Sequence, residues 1–202
     1  MKHLIIDCET LGTPDNSVVL EFTAGLVDAS KSTEPDVLFS DNLKIISYKL
    51  DVAPQAAVGR LVDKGTLEWW KSQPPELRKK VLVPNPAIDR NPEGALDGFA
   101  DWLRENKFDK RRDYVWQRGS KDSDWLTSLM LDFGYKADNL PIMWWRVREL
   151  RTAVDVLGIS SKLNGYPDEV DELRAMIPGY TQHDSRSDVM LEALILKRAG
   201  LI

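Results

Sequence analysis

The stretch IIDCET, residues 5–10, decides how the chain folds. Three apolar residues, Leu4, Ile5 and Ile6, run directly into two acids, Asp7 and Glu9, set one residue apart. In a β-strand, residues i and i+2 point to the same side, so Asp7 and Glu9 share a face and Cys8 opposes them. Two carboxylates at the end of a buried strand are costly unless a cation or a proton neutralises them. A strand that runs out into a polar loop would leave both acids solvated and harmless. The rest of the chain has to choose between these readings.

Working outward, Gly12-Thr13-Pro14-Asp15-Asn16 turns the chain into a second apolar run, SVVLEFTAGLVDA, and a third follows at LKIISYKL, residues 43–50. Two such turns predict an antiparallel meander. The pattern then becomes helical. Thr66 is the expected cap of TLEWWKSQ, Pro74-Pro75 ends it, and PELRKKVL opens the next helix. In PEGALDGFADWLREN, Leu96, Phe99, Ala100 and Leu103 recur at three- and four-residue spacings, which predicts an amphipathic helix. YVWQ, residues 114–117, reads as a strand before the polar RGSKDSD and a helix over WLTSLMLDFGY. PIMWW reads as a last short strand, VRELRTAVDVLG as a helix, and SDVMLEALILKRAG as a strongly apolar closing helix. Strands first, then strands alternating with helices, predict an α/β fold with a mixed sheet.

The 202 residues suffice for one well-cored domain. No apolar run approaches the roughly 20 residues of a membrane span, and the N-terminus reaches charge too soon for a signal peptide. The single cysteine, Cys8, cannot form an internal disulfide or a cysteine zinc site, which fits a reducing cytoplasm. A formal net charge of −5 argues against a high-affinity nucleic-acid coat protein but permits local grip on a few phosphates. The basic clusters at 78–80, 107–112 and 146–151 read first as solvated faces.

Acids recur in two further settings. Asp122 and Asp124 stand where the YVWQ strand gives way to a helix, and QHDSRSDVMLEAL places His183 five residues before Asp188. Five residues span about 140° of an α-helix, so this pair converges only if His183 lies in the turn before it. Asp184 or Ser185 is available as the cap. Carboxylates gathered from separate elements, with one histidine and no partner cysteine, are hard-oxygen ligands for Mg²⁺ or Mn²⁺. Two such ions about 3.5–4 Å apart activate a water and stabilise the leaving oxygen of a phosphoryl displacement. A histidine beside them suits removal of a proton from that water.

The motifs D-C-E-T-L-G at 7–12, an Asp after the strand-plus-glycine stretch, and H-x-x-x-x-D at 183–188 resemble, in order, the three motifs of the DEDDh 3′→5′ exonucleases. QAAVGRLVDKGTLEWWKSQPPELRKKV, residues 55–81, and WWRVRELRT, residues 144–152, resemble segments of a phage and bacterial branch that includes the phage exonuclease A proteins. The resemblance implies a ribonuclease-H-like fold, a mixed five-stranded sheet flanked by helices, and one exonuclease domain over residues 1–202. It implies that Asp7, Glu9, Asp122 and Asp188 hold two Mg²⁺ or Mn²⁺ ions, that His183 is the general base, and that nucleoside 5′-monophosphates leave from a 3′ end.

The family usually carries an aromatic residue before its second-motif Asp, whereas Lys121 precedes Asp122 and Ser123 precedes Asp124. Asp122 is preferred because Leu126 follows at the apolar spacing; Asp124 is the alternative. Substrate-contact candidates are Leu11, Thr13, Arg60, Trp69, Trp70 and Gln73. Trp69 and Trp70 point about 100° apart on a helix, so one is expected in the core and the other on a base. Trp144 and Trp145 are expected to be structural, and His3 incidental. Single-stranded DNA ends are the favoured substrate, in the cytoplasm, or the host cytoplasm for a phage protein. An exoribonuclease remains open, since no motif reads the 2′-hydroxyl. So does a module that binds ends without cutting. A His-Asp phosphohydrolase is disfavoured because it needs more histidines. Oligomeric state is left open.

Overall fold

Residues Lys2–Thr10 form strand β1, and its alternation organises the fold. The computed structural model describes residues 1–31, 38–162 and 165–202. Leu4, Ile6 and Cys8 face one core and Ile5 faces a second. By the same two-residue period, Asp7 and Glu9 continue the Ile5 side. β1 pairs antiparallel with β2, Val19–Asp28, which pairs antiparallel with β3, Lys44–Lys49. On its other side β1 pairs parallel with β4, Tyr114–Gln117, and β4 with β5, Val147–Glu149. The result is a mixed five-stranded sheet in the order β3-β2-β1-β4-β5. The predicted meander is present, with β1 at the point where antiparallel pairing changes to parallel.

Between β3 and β4 lie α1 (Val52–Ala57), α2 (Lys64–Ser72), α3 (Pro75–Val81) and α4 (Pro92–Glu105). α5 (Asp122–Asp132) follows β4, and α6 (Leu150–Val156), α7 (Val170–Ala175) and α8 (Ser185–Arg198) complete the chain. Leu96, Phe99 and Leu103 of α4 pack with Leu126, Leu129 and Met130 of α5 against Leu4, Ile6 and Cys8. Leu150 and Val154 of α6, Leu173 of α7 and the apolar residues of α8 cover the other face. α8 lies very close to the sheet. A Cβ on Gly25 would come within 2.5 Å of Val189 Cγ1, so only glycine admits the helix there. A third, smaller cluster of Leu11, Val18, Leu20, Trp70, Leu77 and Val81 seats α2 and α3 beside the exit of β1.

Three local expectations are corrected. Asp63, not Thr66, caps α2: its Oδ1 accepts from the Thr66 amide at 2.8 Å and from the Thr66 hydroxyl at 3.0 Å. The last strand is Val147–Glu149 rather than PIMWW, which instead leads into a single 3₁₀ turn at Trp144–Arg146. Trp144 and Trp145, expected to be structural, stand outside the core. They are 81% and 48% exposed and meet each other edge to face at 5.6 Å. His3 is not incidental: it is buried, and its Nδ1 accepts from Trp116 Nε1 at 3.0 Å. Burial pushes the His3 imidazole down to about 4, the neutral state that this acceptor role needs.

Candidate active site

The C-terminal end of β1 opens into a cleft of about 380 Å³. Asp7 and Glu9 line it from β1, Asp122 from the start of α5, and Asp188 and Glu192 from α8. The β1–β2 register shifts between Glu9 and Thr10, a bulge that ends regular pairing beside these acids. Asp122 Oδ1 accepts from the Cys8 amide at 3.0 Å, tying the first turn of α5 to the strand between the two motif acids. Gln117 Oε1 accepts from Ser123 N at 2.7 Å and fixes the same turn from β4. Asp124 is exposed and is not among the residues that line the cleft.

The turn before α8 is built around His183. Its φ of +63°, uncommon for a non-glycine residue, breaks the helical phase. Histidine and Asp188 thereby meet despite their five-residue spacing. Asp188 Oδ2 accepts from the His183 amide at 2.9 Å and Oδ1 from the Tyr180 hydroxyl at 2.9 Å. Asp184 caps α8, accepting from Arg186 N and Ser187 N, and it forms an ion pair with Lys80 of α3. Ser185 is buried and bonds Glu21 on β2, while its hydroxyl also lies 2.6 Å from Thr23 Oγ1. The histidine turn is thus held from both α3 and the sheet.

Five carboxylates line one cleft, and burial is the chief cause of every shift among them. Asp7 rises well above the usual carboxylate range through burial, then Glu9 and Asp122; Glu9 rises through burial, then Asp188. Burial also raises Glu192, with Asp122 and Asp188 adding to it. Asp122 is pushed up to about 7 despite its bond from Cys8 N, and Asp188 to about 6 despite its two donors. His183 moves the other way: burial and then Arg118 depress it, so it is neutral at pH 7.

These directions predict a pH-dependent fold. A carboxylate whose folded value lies above its unfolded value of about 3.9 stabilises below that value and loses the contribution as pH rises through the folded one. For Asp188 and Asp122 the loss spans pH 4 to about 6 and about 7, respectively. In EDTA, the melting temperature should therefore fall from pH 5.5 to pH 8. Mn²⁺ at about a hundredfold its Kd should restore about 5–10 °C, most at the higher pH. A flat melting profile in EDTA would contradict this charge arrangement.

The donor set fits divalent cations. One ligand atom each from Glu9, His183 and Asp188 lies within 4.8 Å of the others, the one such group among the described residues. Asp7 and Asp122 line the same cleft without joining that group. Two enclosed carboxylate oxygens of this cleft, Asp7 Oδ2 and Glu192 Oε2, have no hydrogen-bond partner among the described residues. Oxygen donors of this kind need either a cation or a proton.

The expected substrate-contact residues separate. Trp70 is 1% exposed, packs under β1 and donates from Nε1 to Thr10 O at 2.9 Å. Trp69 is 41% exposed and presents its ring edge-on to the His183 ring at 4.9 Å. Leu11 is buried with Trp70, Thr13 is exposed, and Gln73 follows the end of α2 and donates to Trp69 O at 3.2 Å. Arg60 requires a correction. Its guanidinium is buried away from the cleft, donating to Ser17 O, Asp15 O, Ser128 Oγ and Asp132 Oδ2. It staples the 15–17 turn to α5.

Sequence reasoning passed over Glu192, Arg118 and Tyr166 and read Arg151, in the 146–151 cluster, as part of a solvated face; all four line the cleft. Arg118 lies over the Tyr166 ring at 3.5 Å. Glu149 organises both arginine-bearing segments: it accepts from Gly119 N at 2.9 Å and caps α6 through Arg151 N and Thr152 N. The one readable signal for Glu192 was an acid placed four residues after Asp188 inside an apolar helix.

A mixed sheet in this order, with helices packed on both faces, is a ribonuclease-H-like α/β fold. The chain belongs to the Rv2179c-like 3′-5′ exoribonuclease domain family, whose model matches residues 2–190. It is a 3′-5′ exonuclease by that membership, which implies a nucleic-acid substrate and divalent-metal dependence. It is 28% identical over 215 residues to an exodeoxyribonuclease of Enterobacteria phage T4, covering 98% of this chain and 89% of that protein. The crystal structure of cell-death related nuclease 4 (CRN-4) superposes with a TM-score of 0.58 at 15% identity. That match covers 98% of this chain but only 62% of the CRN-4 chain, and it shows the fold alone. No helix among the described residues is long and apolar enough to cross a membrane.

Proposed function

We propose that residues 1–202 form one DEDDh-type exonuclease domain that removes nucleoside 5′-monophosphates from the 3′ ends of single-stranded DNA. The observation that carries this reading is the meeting of Asp7, Glu9, Asp122, Asp188 and His183, drawn from three separated segments, in one cleft. The four carboxylates would hold two Mg²⁺ or Mn²⁺ ions, with Asp122 rather than exposed Asp124 as the second-motif ligand. When bound, such ions supply charge neutralisation, an activated water and stabilisation of the leaving 3′-oxygen. Neutral His183 accepts the proton that this water loses, at a ring nitrogen steadied by Trp69. Arg118 and Arg151 offer positive charge to the phosphates of the entering strand. The exposed Trp69 and Thr13 meet the terminal nucleotide, while Leu11 and Trp70 support them from below.

DNA is favoured because the phage relative that aligns along almost this whole chain is an exodeoxyribonuclease. The family's description favours a second reading, an exoribonuclease. Matched DNA and RNA strands, blocked at the 5′ end, followed over time with Mg²⁺ or Mn²⁺, decide between them. Stepwise shortening from the 3′ end, faster on DNA, is expected. Faster shortening of RNA would shift the assignment, and binding without cleavage would leave an end-binding module. For the second-motif ligand, Asp122→Asn should lower kcat/KM by about 10³-fold or more, as for the other carboxylates proposed to hold the cations. Asp124→Asn should stay within about twofold, since exposed substitutions seldom disturb a fold. Near-wild-type kinetics for Asp122→Asn would move the ligand to Asp124.

A further inference from the structure

We infer that Glu192 is a fifth carboxylate ligand of the divalent cations in this cleft; the inference rests on the metal-dependent reading above. The four-acid motif set does not contain it, and it lies two residues past the end of the family match at residue 190. Glu192 follows Asp188 by one helical turn, so both side chains leave α8 on the same face. Its surroundings along the helix are Val189, Leu191, Ala193, Leu194, Ile195 and Leu196, all buried. An apolar side chain is the low-cost choice at such a position. Instead the chain places a carboxylate there, 2% exposed and lining the cleft.

The geometry says what that carboxylate lacks. Oε2 is enclosed and accepts no hydrogen bond from a donor among the described residues, so no such donor offsets its burial. Arg118 and Arg151 act on Glu192 through their charge, yet Oε2 takes a bond from neither. A role limited to orienting those arginines therefore leaves this oxygen unexplained. Asp7 Oδ2, on β1 in the same cleft, is orphaned in the same way, and the two acids repel each other. A cation held in this cleft would offer a partner to both oxygens.

The test is Mn²⁺ binding without substrate, by calorimetry and electron paramagnetic resonance, on metal-stripped wild type, Glu192→Gln and Glu192→Asp. Glu192→Gln should weaken Mn²⁺ affinity by about tenfold or more, at least the loss that removing an outer partner of a metal ligand causes. Glu192→Asp, which keeps the charge, should bind closer to wild type. In EDTA, Glu192→Gln should melt at or above wild type, because it removes one of several repelling acids. Wild-type affinity in Glu192→Gln, or equal loss in both variants, overturns the assignment of Glu192 alone. Failure of the wild type to bind Mn²⁺ overturns the metal reading on which it rests.

Discussion

Asp7→Asn should abolish cleavage while leaving a folded protein that melts higher than wild type in EDTA. Asp7 sits at the centre of the acid cluster, within the electrostatic reach of Glu9, Asp122, Asp188 and Glu192. It pairs across β1–β2 with Thr23, so its backbone is fixed in the sheet regardless of side chain. On the proposed reading Asp7 would help to hold the cations, whose stabilisation of a phosphoryl transition state would be worth several kcal/mol, and the variant would weaken that hold. That corresponds to a loss of about 10³-fold or more in kcat/KM. The same change relieves repulsion in the metal-free state, and each kcal/mol relieved raises the melting temperature by about 2–4 °C. Activity and metal-free stability should move in opposite directions. Normal cleavage by Asp7→Asn, or a lower melting point in EDTA, would remove the central carboxylate from the mechanism.

The acids at the end of β1 were legible because a strand has a period of two and a buried carboxylate demands a reason. Asp184 was legible as a cap for the same kind of local cause: its side chain reaches amides two and three residues ahead. Other features depend on tertiary contacts that no local rule carries. Arg60 sits in a segment rich in plausible substrate contacts, and only the fold reveals its donors turned inward to Ser17 and Asp132. VRE reads as the start of a helix because Glu149 and the helix it caps are continuous in sequence. Pairing with β4 is what makes it a strand. The tryptophans at 144 and 145 read as structural from the sequence, and the 3₁₀ turn carries them outward at the sheet edge. Glu192 escaped notice because a single acid in a helix is ordinarily a solvated one. Only its burial against β1 makes it informative.

His183→Ala should slow cleavage by about 10²–10⁴-fold, the usual range for losing a general base, with Mn²⁺ affinity unchanged. The pH profile separates this residue from its neighbours. A base works when neutral, so kcat/KM should rise with pH through the imidazole's titration, which burial and Arg118 set below 6.5. Asp188 at about 6 and Asp122 at about 7 titrate nearby in the metal-free cleft, and bound cations would hold both ionised. At saturating Mn²⁺ the acid limb should therefore report His183 and vanish in His183→Ala. At limiting Mn²⁺ a second limb, set by the carboxylates, should persist in the variant. The geometry also offers His183 a competing role, because its ring nitrogen lies within 4.8 Å of ligand atoms on Glu9 and Asp188. A cation ligand would lose Mn²⁺ affinity along with activity when replaced by alanine. The edge-on contact with Trp69 and the backbone bond to Asp188 fix the ring without using its nitrogens, which leaves one of them for the proton of the attacking water. Parallel loss of Mn²⁺ binding and cleavage in His183→Ala would make it a ligand and require another base.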